Sequence, residues 1–253
     1  MRADQLLVER GLATSRSQAQ RLIAAGVQWR SGAGAFRRVA KNGDALPDGA
    51  ELVLLDDAEA RYVSRGGLKL EGALKASGWE VSGWRCLDVG QSTGGFTDCL
   101  LQQGAAQVVG LDVGRDQLHP RLRGDARVVC IEGVNARDLQ PGDARIPDVV
   151  LGFDLLVGDV SFISLTLVLP ALVPLLKPGG RLLMLVKPQF ELQPGQVGKG
   201  GIVRDASLYP VVEQRIRAAL AELGLQVQAW RDSPIEGGDG NHEFFVQALK
   251  PAN

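Results

Sequence analysis

The chain has 253 residues, 45% hydrophobic and 23% charged, with a net charge of -1. Those values exclude a disordered or fibrous chain, leave room for one large domain with a small companion, and require any nucleic-acid surface to come from local clustering of cations. Cys86, Cys99 and Cys130 are odd in number, lack CxxC spacing and lie in apolar surroundings, no apolar leader follows Met1, and no apolar run is long enough to span a bilayer. Together these features exclude a disulfide framework and a zinc site, and they predict a cytoplasmic protein with no membrane or metal partner.

Residues 3–11 carry Leu6 and Leu7, with Leu12 next at near-helical spacing, and the helical pattern stops at Gly11. A second helix is predicted after Ser15, which has Gln18 at capping-box distance, an apolar stripe of Ala19, Leu22, Ile23 and Ala24, and an end at Gly26. Val27 to Arg30 and Glu51 to Leu55 read as strands, with a glycine-rich turn over 31–35 between them. From Met1 to Lys41 eight basic residues face only Asp4 and Glu9. That local excess is where RNA would be held, because phosphate contacts dominate such affinity; the competing reading is a solvated polar face. The two helices followed by Ala-Gly-Val and a strand resemble the alpha-L RNA-binding module first known from small-subunit ribosomal protein four, and the resemblance implies RNA-binding roles for Arg2, Arg16, Arg21 and Arg30, which match where that family places basic residues, with Arg65 further on added to them. Acidic residues from Asp56 lead to the predicted boundary: 1–60 is an RNA-binding α+β domain, 61–66 a linker, and 67–253 the large domain.

A helical pattern follows up to about Gly78, with Lys69 among Leu68, Leu70, Ala73 and Leu74. Strands are predicted over Cys86 to Val89, Val108 to Val113, Val128 to Ile131, Leu155 to Asp159 and Leu182 to Lys187, with helices between them, the clearest over Leu165 to Leu176 and Tyr209 to Leu223. That alternation specifies a parallel sheet covered on both faces. The last two runs, Val227 to Trp230 and Phe244 to Leu249, read as a hairpin. A hairpin ending a parallel sheet fits the seven-stranded, Rossmann-like methyltransferase variant of the α/β fold.

The run Cys86-Leu87-Asp88-Val89-Gly90-Gln91-Ser92-Thr93-Gly94-Gly95-Phe96 passes from a buried strand through a tight turn into a helix start. Its spacing misses both the dinucleotide and the phosphate-loop fingerprints, and Asp88 would repel a phosphate. A carboxylate beside a glycine turn suits a cofactor with amines and ribose hydroxyls, of which S-adenosylmethionine is the commonest. Asp112 ends the next strand about twenty residues on, at the distance where a carboxylate reaches nucleoside hydroxyls. Asn135 stands where a loop could flank an adenine. Asp159 and Lys187 each end an apolar strand, which carries both charges to the edge where ligands bind in open α/β sheets. A lysine drawn out of water gives up its proton more readily and can take one from an attacking hydroxyl; the alternative is a structural ion pair.

The segments Ser64 to Leu70, Asp88 to Asp98, Gly158 to Leu165, Val186 to Glu191 and Gly240 to Phe244 resemble the TlyA, or haemolysin A-like, group of 2'-O-ribose methyltransferases of ribosomal RNA, relatives of FtsJ. The resemblance implies S-adenosylmethionine as cofactor and ribosomal RNA or ribosomal subunits as partners, with a cytidine ribose as target. It carries a Lys-Asp-Lys-Glu tetrad onto Lys69, Asp159, Lys187 and Glu243. In that tetrad Lys187 acts on the 2'-hydroxyl, the two carboxylates tune the lysines, and Lys69 is the second cation. Gln91 stands where the group usually has alanine. Two other readings are a non-catalytic RNA-binding factor on a methyltransferase fold, and a haemolysin.

Overall fold

A computed structural model describes residues 1–55, 60–140 and 152–252. The acidic residues 56–59 of the predicted boundary lie outside them. The chain divides into two compact units, Met1–Leu68 and Lys69–Asn253.

In the first unit, α1 (Ala3–Glu9) and α2 (Arg16–Gly26) run into β1 (Val27–Arg30), β2 (Arg37–Arg38) and β3 (Glu51–Leu54). The strands form one antiparallel sheet in the order β2-β1-β3. Its core is Leu6, Leu7, Ala19, Leu22, Ile23 and Val27. Ser15 caps α2 by accepting from the Gln18 amide at 3.2 Å. The Gln18 side chain turns back one residue further than a capping box requires, so that its Oε1 accepts from the Thr14 amide at 2.6 Å. β2 is missing from the sequence reading because two consecutive arginines carry no apolar alternation. It forms by pairing Arg37 and Arg38 with Trp29 and Gln28.

The second unit contains most of α3 (Gly66–Ser77), whose first turn holds the boundary, then β4 (Arg85–Val89), α4 (Gly95–Gln102), β5 (Gln107–Asp112), α5 (Pro120–Arg123) and β6 (Val128–Glu132). There follow β7 (Phe153–Gly158), α6 (Leu165–Leu172), β8 (Leu176–Val186), α7 (Pro188–Glu191), α8 (Tyr209–Glu222), β9 (Gln226–Asp232) and β10 (Phe244–Leu249). Seven strands form one sheet in the order β6-β5-β4-β7-β8-β10-β9. Pairing is parallel from β6 through β8, and β10 is antiparallel to both β8 and β9. This is the expected Rossmann-like methyltransferase topology, with the terminal hairpin inserted so that the last strand lies inside the sheet.

Leu155, Leu156 and Val157 of β7 are all fully buried, as a strand covered on both faces must be. Truncating one of these leucines to alanine would cost on the order of 2 to 5 kcal/mol. The helix expected over 165–176 stops at Leu172, and Val173–Leu175 forms a tighter turn. Pro170 and Pro174 explain the difference, since neither has an N–H to donate back along the helix. Strand β8 starts at Leu176, six residues before the predicted Leu182.

Candidate active site

Strand order reverses between β4 and β7, so their carboxyl ends open a crevice. The turn that closes its floor depends on Gly90. Gly90 has φ +79°, and a Cβ there would stand 2.7 Å from the Asp159 carbonyl oxygen, so glycine alone lets the ends of β4 and β7 touch. Backbone bonds join three strand ends: Asp159 N to Val89 O at 2.9 Å, and Gly90 N to Leu111 O at 2.8 Å. Asp112, at the end of β5, accepts from the Ser92 amide at 2.6 Å and the Gly114 amide at 2.7 Å. One carboxylate thus fixes both the loop after β4 and the turn after β5.

Above this turn lies a cavity of about 310 Å³ whose lining includes Gly90, Ser92, Asp112, Asn135, Asp159 and Phe162. Its walls include Leu111, Val134 and Val168. Apolar walls with a carboxylate and an amide at the polar end fit a nucleoside bearing hydroxyls and an amine. Asn135 Oδ1 accepts from the Arg137 amide at 3.0 Å, which holds its side chain at the wall.

The other predicted cofactor residues stand beneath or beside the cavity and do not line it. Asp88 is fully buried, accepts from Thr97 Oγ1 at 2.7 Å, and has Oδ1 without a partner. Burial, reinforced by the charges of Asp159 and Asp112 and opposed by the Thr97 bonds, pushes its carboxyl up to about 7. Gln91 is turned inward and donates to Thr97 Oγ1 at 2.9 Å. Its amide occupies the space over Gly110, where a Cβ would come within 2.0 Å of it. Thr93 accepts from the His119 amide through its carbonyl. Gly94 caps α4 at φ 94°, Gly95 opens the helix, and Phe96 is buried against Phe245 with ring centroids 6.1 Å apart. The reason is geometric: a strand, tight turn and helix must bury alternate side chains, and spacing along the run does not say which ones.

All four tetrad residues stand in the second unit. Asp159 follows β7, Lys187 follows β8, and Glu243 precedes the antiparallel β10, so all three reach the same sheet edge; Lys69 comes from α3. Lys69 Nζ lies 2.5 Å from Glu243 Oε2, both side chains being buried. Lys187 Nζ lies 2.5 Å from Asp159 Oδ1 and donates to Ser161 Oγ at 2.7 Å. Burial raises the Glu243 carboxyl above the usual carboxylate range; Lys69 opposes this, Asp159 adds to it and Lys187 opposes it. The two pairs therefore feel one field. Such a cluster can hold a hydroxyl group and move its proton.

Ser161, Phe162 and Glu191 were missed by residue reading. Phe162 is 90% exposed at φ 66°, a strained backbone for a bulky residue, and packs against Phe190 at 5.2 Å. Behind it, Glu191 accepts from Ser164 Oγ at 2.5 Å and the Leu165 amide at 2.7 Å, so α7 clamps the start of α6. Burial raises the Glu191 carboxyl too. An exposed aromatic inside an apolar-looking run leaves no signal in sequence.

The first unit pairs three of its expected RNA-binding arginines with carboxylates. Buried Asp4 accepts from Arg2 Nε at 3.0 Å, Arg16 Nη2 at 3.1 Å and Gln20 Nε2 at 3.3 Å, and these bonds, Arg2 first, hold it well below the usual carboxylate range. Arg30 pairs with Glu51 at 2.6 Å and lies over the Phe36 ring at 4.5 Å. Arg21 is half-buried on α2, and Arg65 is half-buried just before α3. Arg37, Arg38 and Lys41 are exposed and have no carboxylate partner among the described residues. Arg38 and Lys41 line a shallow cavity of about 460 Å³ with Ile23 and Val39. Among the described residues there is no group of three or more metal-ligating side chains, and no helix is long and apolar enough to cross a membrane.

Three relatives are similar to this chain along nearly its whole length. The 16S/23S rRNA (cytidine-2'-O)-methyltransferase TlyA of Mycobacterium tuberculosis is 46% identical over 246 residues, covering 97% of this chain and 88% of that one. Hemolysin A of Brachyspira hyodysenteriae is 40% identical over 251 residues, covering 98% of this chain and all of its own length. The solved structure of a Streptococcus thermophilus protein that carries a hemolysin name is 41% identical, with a TM-score of 0.75, covering 99% of this chain and 88% of that one. The family description FtsJ-like methyltransferase matches residues 62–250. With three quarters of its length matched and its sheet edge built as described, the chain belongs to the FtsJ-like methyltransferase family.

Proposed function

We propose that this chain transfers a methyl group from S-adenosylmethionine to the 2'-hydroxyl of a cytidine ribose in ribosomal RNA, in the cytoplasm. Residues 1–60 serve as the RNA-binding domain, 61–66 as a linker and 67–253 as the methyltransferase domain. The observation that carries the reading is the presence of two lysine–carboxylate pairs, Lys69 with Glu243 and Lys187 with Asp159, on the sheet edge that bears the cavity of about 310 Å³. The name of the M. tuberculosis relative states the same reaction.

Gly90, Ser92, Asp112 and Asn135 hold the cofactor at the cavity, on a loop built by Asp88, Gln91, Thr93, Gly94, Gly95 and Phe96. Bound S-adenosylmethionine supplies an electrophilic methyl group on a sulfonium. Lys187 meets the 2'-hydroxyl and takes its proton at Nζ as the oxygen becomes nucleophilic, and Asp159 with Ser161 fixes the direction of that amine. Glu243 keeps Lys69 in place as the second cation at the ribose. Little more is needed than in-line placement. The first unit holds RNA phosphates through Arg2, Arg16, Arg21, Arg30 and Arg65, joined by the exposed Arg37, Arg38 and Lys41.

The test is transfer of labelled methyl to small- and large-subunit ribosomal RNA, followed by mapping of the product nucleotide. Lys187→Ala should lower kcat by about 10² to 10⁴ while leaving cofactor affinity intact. Wild-type turnover in that variant would remove Lys187 from the mechanism. Absence of transfer by the unaltered protein, with RNA binding retained, would favour the non-catalytic RNA-binding reading.

A further inference from the structure

The loop between β9 and β10 also carries Asp239, whose hydrogen-bond partners among the described residues include none of the four tetrad side chains. Asp239 Oδ1 accepts from the Asn241 amide at 3.0 Å, and Oδ2 accepts from Asn241 Nδ2 at 2.8 Å and from Gln189 Nε2 at 3.1 Å. Gln189 lies two residues beyond Lys187, and Asn241 two residues before Glu243. The buried Asn241 also accepts from the Val203 amide at 3.0 Å and donates to the Gly201 carbonyl at 2.9 Å, so the glycine-rich segment 198–203 hangs on the same side chain. Gly237 lies between the two carboxylates. A Cβ on it would stand 2.7 Å from both Asp239 Oδ1 and Glu243 Oε1, and only a bare backbone lets the loop close this tightly.

We infer that Asp239 is a positioning residue: by holding Gln189 and Asn241 on one carboxylate, it locks the segment after Lys187 to the segment before Glu243 and sets the distance between the two halves of the tetrad. Nothing in its contacts reaches a reacting atom. Its effect is on placement, to which rates are steeply sensitive because a reacting group displaced by about 1 Å can cost 10²-fold. Three donors converge on the two oxygens of this carboxylate, so an amide in its place keeps one acceptor and must turn its own NH2 toward at least one of the donors, which weakens the lock without removing volume.

This inference rests on the methyl-transfer reading, and the test separates the two. Asp239→Asn should lower kcat on ribosomal RNA by about 10- to 100-fold, with unchanged cofactor and RNA affinities, and amide exchange at Val203 and Asn241 should quicken. Reversing the polarity with Asp239→Asn and Gln189→Glu together gives the new amide a carboxylate to bond and should recover most of the lost kcat. Wild-type kcat in Asp239→Asn, or no recovery in the reversed pair, overturns the positioning role. So does a fall in cofactor affinity equal to the fall in kcat, which would mark a general loss of structure. If the unaltered protein transfers no methyl group, the proposed function fails, and unchanged amide exchange in Asp239→Asn would then overturn the lock independently.

Discussion

Asp88 shows what a residue pattern can and cannot convey. Its place at the end of an apolar strand beside a glycine was legible, and so was the turn it introduces; that its carboxyl is sealed beneath the turn was not, because burial of one side chain depends on what the next strand places over it. Its stability consequence follows from sign. The folded protein holds this proton up to about pH 7, whereas an unfolded chain releases it near 3.8. Below the unfolded value both states are protonated and the group costs nothing. Between about pH 4 and 7 the folded state binds the extra proton, so stability falls as pH rises, by a total on the order of 4 kcal/mol. Asp88→Asn keeps the shape and removes the titration. Thermal melts should show this variant gaining on the wild type from pH 4 to 7, with a constant advantage above that; equal melting curves across the range would disprove the account. Lys187, Asp159, Lys69 and Glu243 divide differently. Two strand-end charges stood out from their own context, but Lys69 reads as an ordinary surface lysine and Glu243 as a residue before a strand, and only family resemblance selected them.

At the scale of elements, every strand of the large sheet was visible as an apolar run, and the boundaries that moved did so at prolines or in segments lacking alternation. The departure at Gln91 has a structural counterpart one strand away. Its amide fills the volume above Gly110, so β5 and the loop after β4 are matched in size. Gly110→Ala should therefore lower stability by about 1 to 3 kcal/mol, as overpacked cores do. Adding Gln91→Ala should restore much of that loss, because the two alanines share the space one glutamine fills. Denaturant unfolding of the two single variants and the double one decides this: additive losses would show that the positions do not share a volume. The β2 strand and the α7 clamp on α6 were illegible for the same reason, since both are made by partners distant in sequence.

For the whole molecule, composition pointed to a neutral chain with a basic front, and the structure sorts that front into engaged and available cations. Arg2 and Arg16 share Asp4, and Arg30 faces Glu51, whereas Arg37, Arg38 and Lys41 stand exposed on and after an edge strand. Each phosphate contact contributes about 0.7 to 0.9 to the slope of log affinity against log salt. Arg37→Ala with Arg38→Ala should accordingly flatten the slope for ribosomal RNA by roughly 1 to 2 units. An unchanged slope would return the binding face to α1 and α2. The position of β10 inside the sheet bears on how the protein is made. Lys69 and Glu243 are separated by 174 residues, and Glu243 sits at the threshold of β10. During synthesis the residues lining the cavity, all before position 170, leave the ribosome first, and Lys69 gains its carboxylate only when the closing hairpin has been made. A chain interrupted before β9 would therefore hold every cavity residue while lacking the partner that Lys69 is built to face.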